Sequence, residues 1–291
     1  MPLDINLSPL YRIQGQEPAE MPGVLVLNPP KTAARGRETD RLIVYLALTG
    51  NATVTTTEYR KFAEDIANVY YQTPRAVTSA LRAAADSLNR VLLERNMNSS
   101  NRGQYTLAWL ILAAVRETQC IFSINGPMHA YWFSANGSRH FFEPSISGKG
   151  LGSSQTINIH YAQTDLSGND MLLFCGRVPN AWVTPLEDGK SSSFDAMRRR
   201  LTSLTNEDLN AILIQTTEGA GSINFLKGMI PSHKVEAPAL EEKTQEEEPA
   251  PQPPTPDLPA IHEPEPTPEA GAHLLQPSAY AIPPQHEEVL P

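Results

Sequence analysis

The sequence predicts an α+β fold in which helices and strands form separate packed layers. Two observations carry that prediction. Elements come in blocks: strands, two helices, a long series of strands, one helix, a last strand. The apolar residues change period with the blocks, from continuous or every-second-residue runs to spacings of three and four.

Residues 1–20 are polar and broken by proline, and read as a loose arm. Gly23–Asn28 (GVLVLN) reads as a short strand. Leu42–Leu48 (LIVYLAL) is apolar without a break, the pattern of a strand covered on both faces. Thr55 followed three residues later by Glu58 is a capping box, and Tyr59, Phe62, Ala63, Ile66 and Val69 then recur on one helical face. A second helix is expected to open with Thr73 as N-cap and Pro74 in its first position. Its buried face carries Leu81, Ala84, Leu88 and Leu92; Arg82, Asp86 and Arg90 lie opposite. Strands are expected at Tyr105–Val115, Cys120–Ile124, His129–Phe133, Arg139–Glu143, Ile157–Tyr161 and Asp170–Cys175. Asn136-Gly137 is the hairpin turn between two of them. Phe194–Leu204 is a helix with Phe194, Met197 and Leu201 on one side, and Leu209–Gln215 is the last strand.

Residues 21–230 therefore form one domain, and residues 231–291 have a different composition. That tail holds 15 of the 26 prolines, 12 acidic residues and two lysines. It has too little apolar surface to offset the entropy of ordering, so it is expected to be a disordered, extended tail or linker, a stalk to something further along the chain. It carries −10 of the net −9, which leaves the remainder near +1. A near-neutral domain gives no electrostatic case for nucleic acid. No apolar run is long enough for a membrane span, and Met1–Leu10 lacks the pattern of a signal peptide. Cys120 and Cys175 sit in apolar strand-like runs and read as buried thiols of a reducing compartment, the cytoplasm. Gly148–Gly152 (GKGLG) resembles a phosphate loop but is not followed by a helix, so it reads as a turn.

Two stretches carry a resemblance. Gly126-Pro127-Met128-His129-Ala130-Tyr131 and Asp170-Met171-Leu172-Leu173-Phe174-Cys175-Gly176-Arg177-Val178 are similar to motifs of the metal-dependent Ser/Thr protein phosphatases of the PPM type. In that family they read Gly-Asp-Ser-Arg-x-Tyr and Asp-x-Leu-Leu-Leu-Cys-Ser-Asp-Gly. The resemblance covers roughly Gly23 to Gly228. It implies a four-layer α-β-β-α sandwich, two packed antiparallel sheets flanked by helices.

The family's aspartates hold two divalent ions that activate a water for attack on phosphorus, which requires hard oxygen ligands. This chain departs from the pattern at most stations. Leu48-Thr49 stands in the place of the first Asp-Gly, Pro127 replaces one aspartate and Arg177 another. Glu207-Asp208 keeps acid at the last station, and Asp40, in Glu38-Thr39-Asp40, is a candidate relic of an early acidic pair. No catalytic residue and no metal cofactor is therefore expected. Arg177 is expected to bind an anion or to pair with Glu207. The implied function is a pseudophosphatase, a bacterial-type signalling module that binds a protein or phosphoprotein. Two alternatives stand beside it. One is a divergent phosphatase using magnesium or manganese on Glu207, Asp208 and Asp40. The other is an assembly module without a ligand.

Overall fold

The computed structural model describes residues 2–18, 20–187, 189 and 193–226. The acidic tail predicted for residues 231–291 lies outside them. The described chain builds two sheets. One has six strands in the order β11-β1-β10-β9-β6-β7 and the other five, in the order β2-β3-β4-β5-β8. The strands are β1 (Leu3–Arg12), β2 (Val24–Leu27), β3 (Arg41–Gly50), β4 (Thr106–Arg116), β5 (Gln119–Asn125) and β6 (His129–Ser134). They continue with β7 (Gly137–Phe141), β8 (His160–Asp165), β9 (Met171–Cys175), β10 (Leu209–Glu218) and β11 (Ile223–Phe225).

Helices α1 (Thr56–Gln72) and α2 (Val77–Ser99) cover the outer face of the five-stranded sheet. Their Ala63, Ile66, Tyr70, Leu81 and Leu88 pack on Leu42, Val44, Leu46 and Leu110. A short helix α3 (Pro144–Ser147) follows β7. Helices α4 (Val183–Glu187) and α5 (Phe194–Ser203) lie on the far side of the six-stranded sheet, where Trp182, Leu186, Met197 and Leu201 meet Leu173 and Leu213. Between the sheets lies a third core, with Ile43, Tyr45, Ile111, Phe122, Phe174 and Ile212. The chain is thus the four-layer α-β-β-α sandwich, held by three apolar interfaces. Continuous apolar strands such as β3 follow from this: alternate residues feed two different cores.

Several expectations need correction. The N-terminal residues are not a loose arm, because Leu3–Arg12 is a strand inside the six-stranded sheet, paired with β10 from Leu3↔Glu218 to Arg12↔Leu209. Leu3, Ile5 and Leu7 alternate into the inter-sheet core, but Pro9 hides that period in the sequence. Pro9 is tolerated for a specific reason. Ile5 donates to Ser222 O, and Leu226 donates to Leu7 O, so the odd residues of β1 face β11. The missing N–H of Pro9 costs no bond to β10. It removes only the next rung toward β11, and the ladder ends there. β11 pairs with β1 in parallel, the one exception to antiparallel pairing among the described strands.

Thr73 and Pro74 do not open the second helix. Thr73 caps the end of α1, its N–H donating to Tyr70 O and its hydroxyl to Val69 O. A residue before proline is held out of the helical region, so α1 stops there. α2 begins at Val77 with Ala76 as its N-cap. The strand expected at Ile157–Tyr161 starts later, at His160. Ile157 instead tucks under the helices, and Asn158 O accepts from Asn125 Nδ2.

Candidate functional site

The motif-bearing turns converge at one end of the inter-sheet core. There β3 finishes, β5 turns into β6 through Gly126, β9 finishes at Cys175 just before Gly176, and β10 starts after Glu207-Asp208. Each turn has a local cause. Gly126 has φ +86, a left-handed conformation that favours glycine. Met128 N donates to Gly126 O at 2.8 Å, which closes a tight turn around Pro127. The Met128 side chain is then fully buried in the inter-sheet core. The stretch that resembles Gly-Asp-Ser thus supplies a turn and an apolar plug, not a ligand.

Register corrects the first station. Leu48 belongs to the helix-side core, while Ala47 belongs to the inter-sheet core. The residue facing the cleft at the end of β3 is therefore Ala47, because side chains alternate along a strand. Neither it nor Leu48 is a carboxylate.

Two tyrosines brace β3 from its two faces, Tyr45 in the inter-sheet core and Tyr59 on the helix side. The fully buried Tyr45 hydroxyl donates to Asn210 O at 2.6 Å, across the two sheets. Burial raises its pKa well above the usual phenol value. The Tyr59 hydroxyl accepts from Leu48 N at 2.5 Å, and burial pushes its pKa up to about 12. Both are neutral structural groups at neutral pH.

The structure brings Arg177 and Glu207 together, Nη2 lying 3.3 Å from the carboxylate oxygen. Their side chains are 79% and 50% exposed. This is a solvated rim pair rather than a buried one, and such pairs contribute little to stability. Asp208 takes a different role. Its Oδ1 accepts from Gln14 N at 2.7 Å and so fixes the turn after β1 to the start of β10.

Asp40 is not at this end. It precedes the first residue of β3, whereas Leu48 is the eighth, a separation of about 26 Å along a strand. Its carboxylate is fully buried and receives Arg116 Nε at 2.7 Å, the Tyr70 hydroxyl at 2.7 Å, and Arg37. Burial would raise its pKa. The hydrogen bonds from Arg116, Tyr70 and Arg37 outweigh burial, and the carboxyl sits below its ordinary range. It is committed to holding the segment before β3 against α1 and β4.

These residues do not fit a divalent metal. Hard cations need six or more oxygen ligands, several from carboxylates. Among the described residues no group of three or more His, Cys, Asp or Glu side chains could hold one. Both cysteines are buried, and burial pushes the Cys120 thiol up to about 12. The glycine loop is a structural turn: Leu151 and Ala108 exchange both backbone bonds, at 2.8 and 3.0 Å, where β4 has outrun β5.

Sequence reasoning missed two features. One is Trp109 on β4, paired with Ala47, whose indole lies against the turns at Gly126, Gly150 and Gly176. The other is an apolar cavity of about 730 Å³, lined by Leu10, Tyr11, Arg198 and Thr202 from β1 and α5 and by Val24 and Ala63 from β2 and α1. It depends on β1, which proline concealed.

The arrangement has known counterparts. A bacterial serine phosphatase carrying a single arginine-to-alanine mutation superposes with a TM-score of 0.55 at 12% identity, over 74% of this chain and 98% of that one. The chain has the PP2C, or PPM-type, phosphatase fold. Another structure of a bacterial serine phosphatase gives 0.51 at 11% identity, over 74% and 98% of the two chains. The PP2C phosphatase domain of the cell fate determinant SpoIIE from Bacillus subtilis gives 0.50 at 10%, over 74% and 63%. No protein-family model and no curated protein sequence matches the chain. At this identity the likeness speaks for the fold alone.

Proposed function

We propose that this PPM-type fold works as a binding or regulatory module and does not hydrolyse phosphoesters. One observation carries the reading: the turns that meet at the cleft present Ala47, Pro127 and Arg177, and the acids left nearby are already engaged. A guanidinium repels the dication that a carboxylate would hold, and here it neutralises Glu207 instead. Magnesium and manganese are accordingly no part of this function.

The partner class is a protein or phosphoprotein, met through the exposed rim that Arg177 and Glu207 share. The exposed guanidinium suits bidentate contact with a carboxylate or phosphate on that partner. The two buried thiols fit a reducing compartment, the cytoplasm. Among the described residues no helix is long and apolar enough to cross a membrane.

The rival, a phosphatase with a rearranged site, needs Glu207, Asp208 and Asp40 to converge. Asp40 lies at the other end of β3 and Asp208 is tied to Gln14, which speaks against it. Calorimetric titration of the full chain with Mn²⁺ and Mg²⁺, with turnover of a chromogenic phosphate ester in the same buffer, tests the choice. The expected result is no heat of binding and no turnover from a folded chain. Binding with turnover that disappears in Glu207→Ala would establish the enzyme instead.

A further inference from the structure

The indole of Trp109 bridges the mouth of the cleft. Its own strand, β4, belongs to the five-stranded sheet, and across the pairing its neighbour is Ala47. A Cβ placed on Gly126 would stand 2.7 Å from the indole Cδ1, and one on Gly150 also 2.7 Å. A Cβ on Gly176, in the opposite sheet's turn, would stand 3.4 Å from Cε3. The indole Nε1 donates to Lys149 O at 3.3 Å, which fixes the ring in this pose. One ring therefore lies beside both turns, tightly at Gly126 and with space for a methyl group at Gly176, and the residues that follow them are Pro127 and Arg177.

We infer that Trp109 closes this position sterically, as a second lock that acts independently of the missing carboxylates. The volume between the turns at Gly126 and Gly176 is where ligands from positions 127 and 177 would meet, and the indole takes it. The space left between the ring and the Gly176 turn takes a methyl group, which is too small for a hydrated cation. The two locks differ in kind. One removes the charge that would attract a cation, the other the space that would hold it. Restoring the acids should then give weaker binding while the ring stays.

The test is a set of full-length variants titrated with Mn²⁺, the free ion followed by electron paramagnetic resonance. Pro127→Asp with Arg177→Asp supplies two carboxylates and frees Glu207. Trp109→Ala removes the ring. Mn²⁺ binding is expected to be at least ~10-fold tighter when all three substitutions are combined than in the double carboxylate variant, the scale on which neighbours of a metal site act. Trp109→Ala alone is expected to bind none.

The inference is overturned if the double carboxylate variant binds Mn²⁺ as tightly with Trp109 present as without it. It is equally overturned if the folded triple variant binds none. Circular dichroism and the emission of Trp132 and Trp182 report folding, and Trp109→Val replaces Trp109→Ala if the alanine variant does not fold. Binding by the native chain would sink the proposed function instead, so the two failures are distinct.

Discussion

The two ends of the β3–β4 pair handle charge in opposite ways. At one end Asp40, with Arg37 and Arg116, forms a cluster whose carboxylate and Arg37 side chain are fully buried. Its acceptor oxygens are satisfied by Arg37, Arg116 and Tyr70. At the other end Arg177 and Glu207 pair in solvent. Buried charge here belongs to architecture, and the exposed charge is free to meet something else. Asp40 is buried at the first end while Glu207 is half exposed at the second, so the two acids share no site.

Breaking the buried cluster should have the largest effect. Asp40→Ala leaves Arg37 without its carboxylate in a dry site, at a cost of about 3–5 kcal/mol. Urea denaturation should show it as a lower midpoint. The pH dependence has a definite sign. The folded-state pKa of Asp40 is depressed, so its stabilisation is full above the ordinary carboxylate pKa and is lost as pH falls through the lowered one. The native chain should lose stability on acidification in that window, and Asp40→Ala should flatten the slope there.

At the other end the largest effect belongs to packing. Trp109→Ala removes a half-buried indole that three turns rest on, for about 3 kcal/mol. Gly126→Ala should cost about 2 kcal/mol, since its φ of +86 disfavours a side chain and the new methyl meets the indole. The comparison sharpens if Gly126→Ala is far milder in a Trp109→Ala background. A double-mutant cycle by thermal denaturation measures that coupling. Additive costs would mean that the two residues do not share the mouth of the cleft.

The legible and illegible parts of this chain differ for physical reasons. Helix α1 is readable because Thr55 and Glu58 satisfy each other's orphan donors locally. The strands β3, β4, β5 and β9 are readable from their apolar runs. β1 is not, since its alternation passes through Pro9, whose tolerance depends on a partner strand more than 200 residues away. The acid count at the motif stations can be read from the residues alone. That Asp40 and Leu48 lie at opposite ends of one strand is readable too, but the burial of the Asp40 carboxylate among Arg37, Tyr70 and Arg116 is not, because those partners come from separate parts of the chain. Trp109 escapes for the same reason. Its meaning comes from three turns that converge only in space, each from a different part of the chain.

The smallest expected effect tests the comparison most directly. Arg177→Ala removes one member of an exposed pair, so stability should change by no more than about 1 kcal/mol, in contrast to Asp40→Ala. The same substitution should matter for recognition if the rim is the binding surface, because one exposed guanidinium supplies two parallel donors to a carboxylate or phosphate. Added salt should weaken the rim pair of the native chain, so that the cost of Arg177→Ala shrinks, and leave the buried Asp40–Arg37 pair unaffected, since screening acts on exposed charges. Parallel denaturation of Arg177→Ala and Asp40→Ala at low and high salt reads both. A large, salt-independent loss from Arg177→Ala would mean that this end, too, uses its charge for architecture, and the distinction between the two ends would fall.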